Sequence, residues 1–204
     1  MATTIVLVRH GETDWNRDRR FQGHADVVLN ETGRAQVRAL AAELAGEPFS
    51  IAYTSPLRRA AESAEILGAA LELEVRPCDA LKEVHVGSWA GLTVPEVETR
   101  FPDGHRRWLD SRSGWEDGET YDELGVRVVE GLARIGAAHP GAQVLAVTHG
   151  GPIRAILAAI RGLPFEASRD EIRFVENCEA VRVAIQDGTL EAVRGPRRSP
   201  RDEG

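Results

Sequence analysis

Lysine is almost absent from this chain. Lys82 is the only lysine among 25 basic residues, and arginine supplies all the others. A Walker A loop needs a Gly-Lys pair, which occurs nowhere in the sequence. This absence excludes nucleotide binding of the P-loop type.

Cysteine is scarce, and its positions suggest neither a disulfide framework nor a metal site. Cys78 and Cys178 lie far apart in the chain, so we expect two free thiols, as is usual in the cytosol. None of the six histidines belongs to an H-E-x-x-H or comparable ligand pattern. We therefore expect neither a metal ion nor another cofactor.

Long apolar runs and an excess of positive charge are also missing. No run of 18 apolar residues exists, so we expect no membrane span. Residues 1–4 lead into a predicted strand without the basic and apolar regions of a signal peptide, which favours a cytoplasmic location. The net charge of −7 argues against a nucleic-acid partner.

Predicted strands and helices alternate through most of the 204 residues. The clearest strand signals lie at 4–8, 51–54 and 144–148. We expect Thr32 to cap a helix over 35–44, and Ser55-Pro56 to begin another helix. Such alternation indicates an α/β fold with a mostly parallel central sheet.

Three stretches depart from this alternation. Residues 87–120 hold three of the four tryptophans with weak periodicity, and we interpret them as a small lobe inserted over the active site. Residues 180–185 and 189–193 predict a hairpin. Residues 194–204 hold four arginines and two prolines and predict a disordered tail, so we expect one domain over 1–193.

Short segments rich in polar residues and glycine directly follow three of the predicted strands. They are Arg9 and His10, then Ser55 to Arg59, then His149, Gly150 and Gly151. Because ligands of open parallel sheets bind beyond the carboxyl ends of the strands, we expect these residues to share one site. Arginines and helix N-termini both attract anions, so the group predicts a phosphate ester as ligand.

A histidine in such a site has a chemical role. A neutral imidazole is a competent nucleophile toward phosphorus, and neighbouring arginines disfavour its protonated form. The same arginines neutralise the phosphoryl oxygens, so no metal ion is required. The leaving alcohol needs a proton, and a carboxyl group facing a bound phosphate favours the protonated form. Glu83 is the best candidate, with Glu12 and Glu116 as rivals.

Five motifs in sequence order carry a resemblance to a known family. They are Arg9-His10-Gly11-Glu12-Thr13 with Asn16, Phe21-Gln22-Gly23, Ser55-Pro56-Leu57 with Arg59-Ala60, Leu81-x-Glu83 with Gly87-x-Trp89-x-Gly91, and Thr148-His149-Gly150-Gly151. Together they resemble the histidine phosphatase superfamily, and more narrowly its cofactor-dependent phosphoglycerate mutase branch. The resemblance implies a three-layer α/β/α sandwich.

The resemblance also implies a role for each matching residue. His10 is the nucleophile that becomes phosphohistidine, with His149 beside it. Arg9 and Arg59 hold the phosphoryl group, and Glu83 is the proton donor. The residues that complete the phosphate pocket are Asn16, Gln22 and, through backbone N–H groups, Gly150 or Gly151.

One difference from the glycolytic mutases bears on whether the chain is a phosphatase or a mutase. Glycolytic mutases usually carry a threonine before Gly23 and a tryptophan after it, and they are longer, whereas this chain has Phe21-Gln22-Gly23-His24. That pattern is more similar to broad-specificity phosphatases, so we favour hydrolysis of a small phosphorylated metabolite. Mutase-type phosphoryl transfer and a weakly catalytic phospho-ligand-binding regulatory module remain alternatives. The natural substrate and the oligomeric state, a homodimer included, stay open.

Overall fold

The computed structural model describes residues 1–110, 112–165 and 168–193. The strands are β1 Thr3–Arg9, β2 Phe49–Thr54, β3 Val75–Pro77, β4 Gln143–Thr148, β5 Ala180–Gln186 and β6 Thr189–Ala192. The helices are α1 Asp14–Arg17, α2 Glu31–Glu43, α3 Arg58–Leu71, α4 Val94–Arg100, α5 Pro102–Leu109, α6 Tyr121–Ala138, α7 Gly150–Arg161 and α8 Ser168–Glu171. The tail predicted at 194–204 lies outside the described residues.

The strands form a single six-stranded sheet in the order β3-β2-β4-β1-β5-β6. β1, β2, β3 and β4 are parallel to one another, while β5 runs antiparallel to β1 and β6 antiparallel to β5. The prediction of a mostly parallel α/β sheet is therefore confirmed. β3 was not predicted, because three residues are too few to show a periodic pattern.

Helices cover both faces of the sheet. Alternate side chains of a strand point to opposite faces, and in β1 both sets are buried. Ile5 and Leu7 pack in one hydrophobic cluster with residues of α6 and α7, such as Leu124 and Ile153. Val6 and Val8 pack in a second cluster with residues of α2 and α3. The three-layer α/β/α sandwich is confirmed.

Residues 87–120, interpreted from the sequence as an inserted lobe, contribute three tryptophans to the core. Trp89 is completely buried, and its ring lies 5.5 Å from that of Trp115 and 5.2 Å from that of Phe21, measured between centroids. Trp108 packs edge-on against Trp89 at 6.4 Å. These rings belong to the same cluster as β1 Leu7, so the tryptophans serve as core where lobe and sheet meet.

Two predicted helix starts were wrong. Asn30 rather than Thr32 caps α2, because its side-chain oxygen accepts a hydrogen bond from the Gly33 N–H at 2.8 Å. α3 begins at Arg58, after an N-cap residue that makes no side-chain hydrogen bond. Ser55, expected to begin that helix, lies three residues before it, and its hydroxyl is directed toward His149.

The predicted hairpin is confirmed at the edge of the sheet. β5 and β6 are joined by Asp187 and Gly188, whose φ angles of 50° and 78° fit a two-residue turn of the type that follows the twist of the strands. In the described part of the chain, no helix has the length and apolarity needed to cross a membrane.

Two glycines let the loop after β1 lie directly on α2. A Cβ built on Gly33 would lie 2.1 Å from the Glu12 carbonyl oxygen, and one on Gly11 would lie 2.6 Å from the Gly33 carbonyl oxygen. Both obstacles are backbone atoms, which yield only if the loop moves. This contact therefore fixes the position of the chain that leaves β1 through His10.

We expect Gly33→Ala to destabilise the protein by about 1–3 kcal/mol, because the added methyl group overpacks a backbone contact. Gly125→Ala in α6 is the matched control, since nothing lies within 4 Å of its added Cβ, and it should stabilise by about 0.5–1 kcal/mol. Urea unfolding of both variants measures the difference. Equal effects of the two substitutions would contradict the contact's role.

Candidate active site

The carboxyl ends of three parallel strands converge at one point. β4 lies between β1 and β2, and its last residue, Thr148, pairs in register with Arg9. His10 and His149 come directly after β1 and β4, so their rings meet with centroids 5.1 Å apart in an edge-to-face arrangement. Both rings are buried, with only 2% and 0% of their surface exposed.

A cavity of about 250 Å³ opens at this convergence. It brings together eight of the nine predicted site residues: Arg9, His10, Asn16, Gln22, Arg59, Glu83, Gly150 and Gly151. The ninth, His149, is packed against His10. The site residues expected from five separate motifs therefore lie together in the folded chain.

Hydrogen bonds fix the tautomer of His10. The Gly11 carbonyl lies 2.7 Å from Nδ1 and can only accept, so Nδ1 carries the proton. Nε2 is left with a lone pair, which accepts a hydrogen bond from Arg59 Nε at 3.3 Å. Burial lowers the pKa of His10 well below its usual range, and the charges of Arg59 and Arg9 lower it further. The imidazole is therefore neutral at physiological pH.

Arg59 is completely buried beside this nitrogen. Its two terminal nitrogens donate to the Gly23 carbonyl at 2.8 Å and to the Ala25 carbonyl at 3.2 Å. Burial lowers the pKa of Arg59 to about 10, which still leaves the guanidinium charged at neutral pH. The fixed positive charge lies next to any group bonded to His10 Nε2.

Arg9 supplies a second buried guanidinium. Its Nη1 donates to the Val175 carbonyl at 2.8 Å, and its carbon lies 4.6 Å from the centre of the Phe174 ring. Burial lowers the pKa of Arg9 from its usual value, although the negative charge of Glu83 opposes this shift.

Three buried polar atoms of the site have no hydrogen-bond partner within the described residues. They are Arg9 Nε, Gln22 Oε1 and His149 Nδ1. Buried polar atoms are almost always paired in native structures, and exceptions call for an explanation. Arg9 and Gln22 line the cavity, so a ligand that enters it is placed to pair with them.

Two serine hydroxyl groups support the site, one through the His149 ring and the other through backbone atoms. Ser55 Oγ lies 2.8 Å from His149 Nε2. Ser63 Oγ accepts from the Gly11 N–H at 3.1 Å and donates to the Arg59 carbonyl at 2.7 Å. Burial and then the charge of Arg59 lower the pKa of His149 well below its usual range, so both histidines are neutral.

Glu83 lies where α7 begins. Its Oε1 accepts from the Val84 N–H at 2.9 Å and its Oε2 from the Gly151 N–H at 3.4 Å. A Cβ on Gly151 would lie 2.2 Å from Oε1, so only glycine allows the carboxyl group this position. The Gly151 N–H, predicted to bind phosphate, is thus directed at Glu83.

The two rival carboxyl groups are engaged elsewhere. Glu12 accepts from the Asn30 side chain at 2.9 Å, and Glu116 is exposed in an ion pair with Arg107. Neither lines the cavity. Asn16 does line it, but its side-chain oxygen caps α1 by accepting from the Thr13 N–H and hydroxyl.

Apart from Phe21, which belongs to one of the five motifs, sequence reasoning missed the outer wall of the cavity. It consists of aromatic rings with two more arginines: Arg20, Phe21, Tyr121, Arg154, Phe165 and Phe174. Tyr121 stacks on Phe165 with ring centroids 4.1 Å apart. Among the described residues, none from the 87–120 lobe lines the cavity. Among these residues, only Arg154, one turn along the helix that starts at Gly150, had a sequence position that could have indicated its place in the cavity wall.

No three histidine, cysteine or acidic side chains are grouped as metal ligands in the portion of the chain that the structure describes. Cys78 and Cys178 are not bonded to each other. Burial raises the pKa of Cys178 to about 12, so this thiol is not ionised at neutral pH and is a poor nucleophile.

Comparison with known proteins identifies relatives along most of the chain. Residues 5–195 match the family described as the histidine phosphatase superfamily, branch 1. Phosphoglycerate mutase-like protein 4 of Arabidopsis thaliana is 39% identical over 84% of this chain and 74% of its own. A metal-independent phosphoserine phosphatase of the same plant is 40% identical over 78% of this chain and 69% of its own. The solved structure of Bacillus stearothermophilus YhfR matches with a TM-score of 0.87 at 30% identity, over 93% of this chain and 95% of that one.

We expect His10 to stay neutral as the pH falls from 8 to 6, because burial and two guanidinium groups lower its pKa. Ring nitrogen shifts of ¹⁵N-histidine-labelled protein, assigned by loss of signals in His10→Gln, should show a proton on Nδ1 and none on Nε2. A free histidine, which titrates at about pH 6.5, serves as the control. A doubly protonated His10 ring at pH 6 would contradict the geometry.

Proposed function

The chain belongs to the histidine phosphatase superfamily, branch 1, and from this we propose that it hydrolyses phosphate monoesters through a phosphohistidine on His10. One observation carries the proposal: a neutral imidazole presents Nε2 to a cavity beside the buried guanidinium of Arg59. A nucleophile and the positive charge that its reaction needs are thus already in contact.

The reaction has two steps that use the same residues in opposite directions. In the first, His10 Nε2 forms a bond to phosphorus, the ester P–O bond breaks, and the leaving oxygen takes a proton from Glu83. In the second, water bonds to phosphorus, the N–P bond breaks, and the water proton passes to the Glu83 carboxylate. The products are an alcohol and inorganic phosphate, and the enzyme returns to its starting state.

The arginines stabilise the transferring group electrostatically. Charge spreads over the equatorial oxygens of a phosphoryl group in the transition state. The guanidinium of Arg59 contacts His10 Nε2, and that of Arg9 lines the same cavity. The neutral ring of His149 packs against that of His10, with the two centroids 5.1 Å apart. Gln22 lines the same cavity, and its unpartnered Oε1 can accept a hydrogen bond only from a donor on the alcohol part of the ester.

The proposed substrate is a small metabolite. A cavity of about 250 Å³ accommodates a phosphate group and a short alcohol. One of the two Arabidopsis relatives is named a metal-independent phosphoserine phosphatase. We place the activity in the cytoplasm, a location that agrees with the unpaired Cys78 and Cys178.

We expect His10→Ala to lower kcat/KM for p-nitrophenyl phosphate by more than about 10³-fold, because the covalent route is lost. His139→Ala is the matched control, since this histidine bonds Tyr53 far from the cavity. Release of inorganic phosphate measures both variants. Unchanged hydrolysis by His10→Ala would overturn the proposed mechanism.

Hydrolysis and mutase-type transfer differ in the fate of the phosphoryl group. With 3-phosphoglycerate and catalytic 2,3-bisphosphoglycerate, a phosphatase accumulates inorganic phosphate, whereas a mutase produces 2-phosphoglycerate with little free phosphate. The second outcome would replace hydrolysis by transfer while leaving His10 as the nucleophile.

We expect the effect of Glu83→Gln on kcat/KM to depend on the leaving group of the ester. For β-glycerophosphate, whose alcohol must be protonated, kcat/KM should fall by about 10²–10⁴-fold. For p-nitrophenyl phosphate, whose phenolate leaves without a proton, the loss should be much smaller. Glu116→Gln, at the exposed rival carboxyl group, should change neither. Equal losses on both substrates would show that Glu83 is not the proton donor.

A further inference from the structure

Glu83 lies on a segment that has no regular secondary structure. After a single 3-10 turn at Asp79–Leu81, residues 82–86 belong to neither helix nor strand. No sheet ladder or helix therefore fixes the backbone of this segment. A proton donor must nevertheless lie within hydrogen-bond reach of the leaving oxygen, so another part of the molecule has to hold the segment in place.

Arg127 of α6 makes that contact. Its Nη1 donates to the carbonyl oxygens of Ala80 at 2.8 Å and Lys82 at 3.1 Å. Its Nη2 donates to the carbonyl oxygen of Glu83 itself at 3.3 Å. Nη1 also donates to the Asp79 carbonyl oxygen at 3.4 Å, so one guanidinium binds four backbone acceptors within residues 79–83.

Glu119 holds Arg127 in the required orientation. Its two carboxylate oxygens accept from Arg127 Nε and Nη2, each at 2.7 Å, and the pair is largely buried, with 25% and 15% of the two side chains exposed. Such a fork-to-fork pair fixes the plane of the guanidinium. Glu119 also exchanges hydrogen bonds with the backbone of His85, at 2.8 and 3.3 Å.

His24 adds a third support to this segment. Its Nε2 lies 2.7 Å from the Glu83 carbonyl oxygen and donates to it. The Glu83 carbonyl therefore receives two donors, while its carboxyl group is bonded to Val84 and Gly151 N–H groups. Neither Arg127 nor Glu119 lines the cavity, so neither can touch the substrate.

We propose that Arg127, oriented by Glu119, is a positioning residue that sets the carboxyl group of Glu83 for proton transfer. The inference rests on the proposed function, because it assigns no chemistry to Arg127 itself. The fork geometry of arginine is essential to it: a lysine offers the same charge but cannot bind a carboxylate and several carbonyls in one plane.

The test is a double-mutant cycle read on two substrates. Arg127→Lys should lower kcat/KM for β-glycerophosphate by about 10-fold or more, because a displacement near 1 Å costs up to about 10²-fold. Hydrolysis of p-nitrophenyl phosphate, which needs no proton donor, should stay within about threefold. In the Glu83→Gln background, Arg127→Lys should add no further loss on β-glycerophosphate, since the two act through one group.

Two controls separate this role from general stabilisation. Arg134→Lys, on the same helix in an exposed ion pair with Glu130, should leave both substrates unchanged. Glu119→Gln is the second variant in case Arg127→Lys fails to fold. It keeps the shape of the partner of Arg127 and should reproduce the selective loss in a milder form. Thermal unfolding of each variant is measured in parallel.

Losses that are equal on both substrates, or that multiply with Glu83→Gln, would overturn the positioning role. A failure of the proposed function would look different. The unmodified protein would release no phosphate from either ester, or His10→Ala would retain full activity.

Discussion

The site depends on one buried contact, that between the guanidinium of Arg59 and Nε2 of His10. Burying a charge is costly unless it is satisfied by hydrogen bonds or an opposite charge. Here the carbonyl oxygens of Gly23 and Ala25 accept two of the hydrogen bonds, and the imidazole accepts a third. Burial, and then the charge of this guanidinium, lower the pKa of His10 and keep it neutral, so the charge that helps to prepare the nucleophile also stabilises the phosphoryl group bound to it. A phosphate dianion is the ligand that best offsets two buried positive charges.

The scaffold explains why this contact forms in one place. His10 is fixed by β1 and by the close approach of Gly11 to Gly33, while Arg59 lies in the first turn of α3. Ser63, one turn further along α3, bonds both the Gly11 N–H and the Arg59 carbonyl. The nucleophile and its partner are therefore joined through backbone hydrogen bonds as well as through their side chains.

Much of the fold could be predicted because strands and helices of an α/β protein leave distinct apolar patterns. The convergence of Arg9, His10, Arg59 and His149 followed from a general rule about strand ends. Glu83 was the preferred one of three carboxyl groups considered as proton donor, and the resemblance implied the same role. Their placement in one site is observed, whereas their catalytic roles stay predictions. The helix starts at Thr32 and Ser55 were wrong, because Asn30 is an equally good cap and Ser55 has a tertiary partner in His149.

Other features left no signal that local patterns could show. Phe174 reaches Arg9 from a distant segment, and Arg127 binds carbonyl groups more than 40 positions away. Contacts between a side chain and remote backbone depend on tertiary structure alone, since any residue supplies a carbonyl oxygen. The outer wall of the cavity is likewise assembled from 121, 154, 165 and 174, so neither the 87–120 lobe nor any single motif describes it.

The central claim is that Nε2 of His10 becomes covalently bonded to phosphorus, and trapping that bond tests it most directly. The protein is mixed with a phosphate ester, quenched in base, which preserves phosphohistidine, and examined by peptide mass spectrometry and ³¹P–¹⁵N correlation. The account predicts a single phosphoryl group on Nε2 of His10. A phosphoryl group on His149 or on Nδ1 of His10, or turnover with no adduct at any quench time, would contradict it.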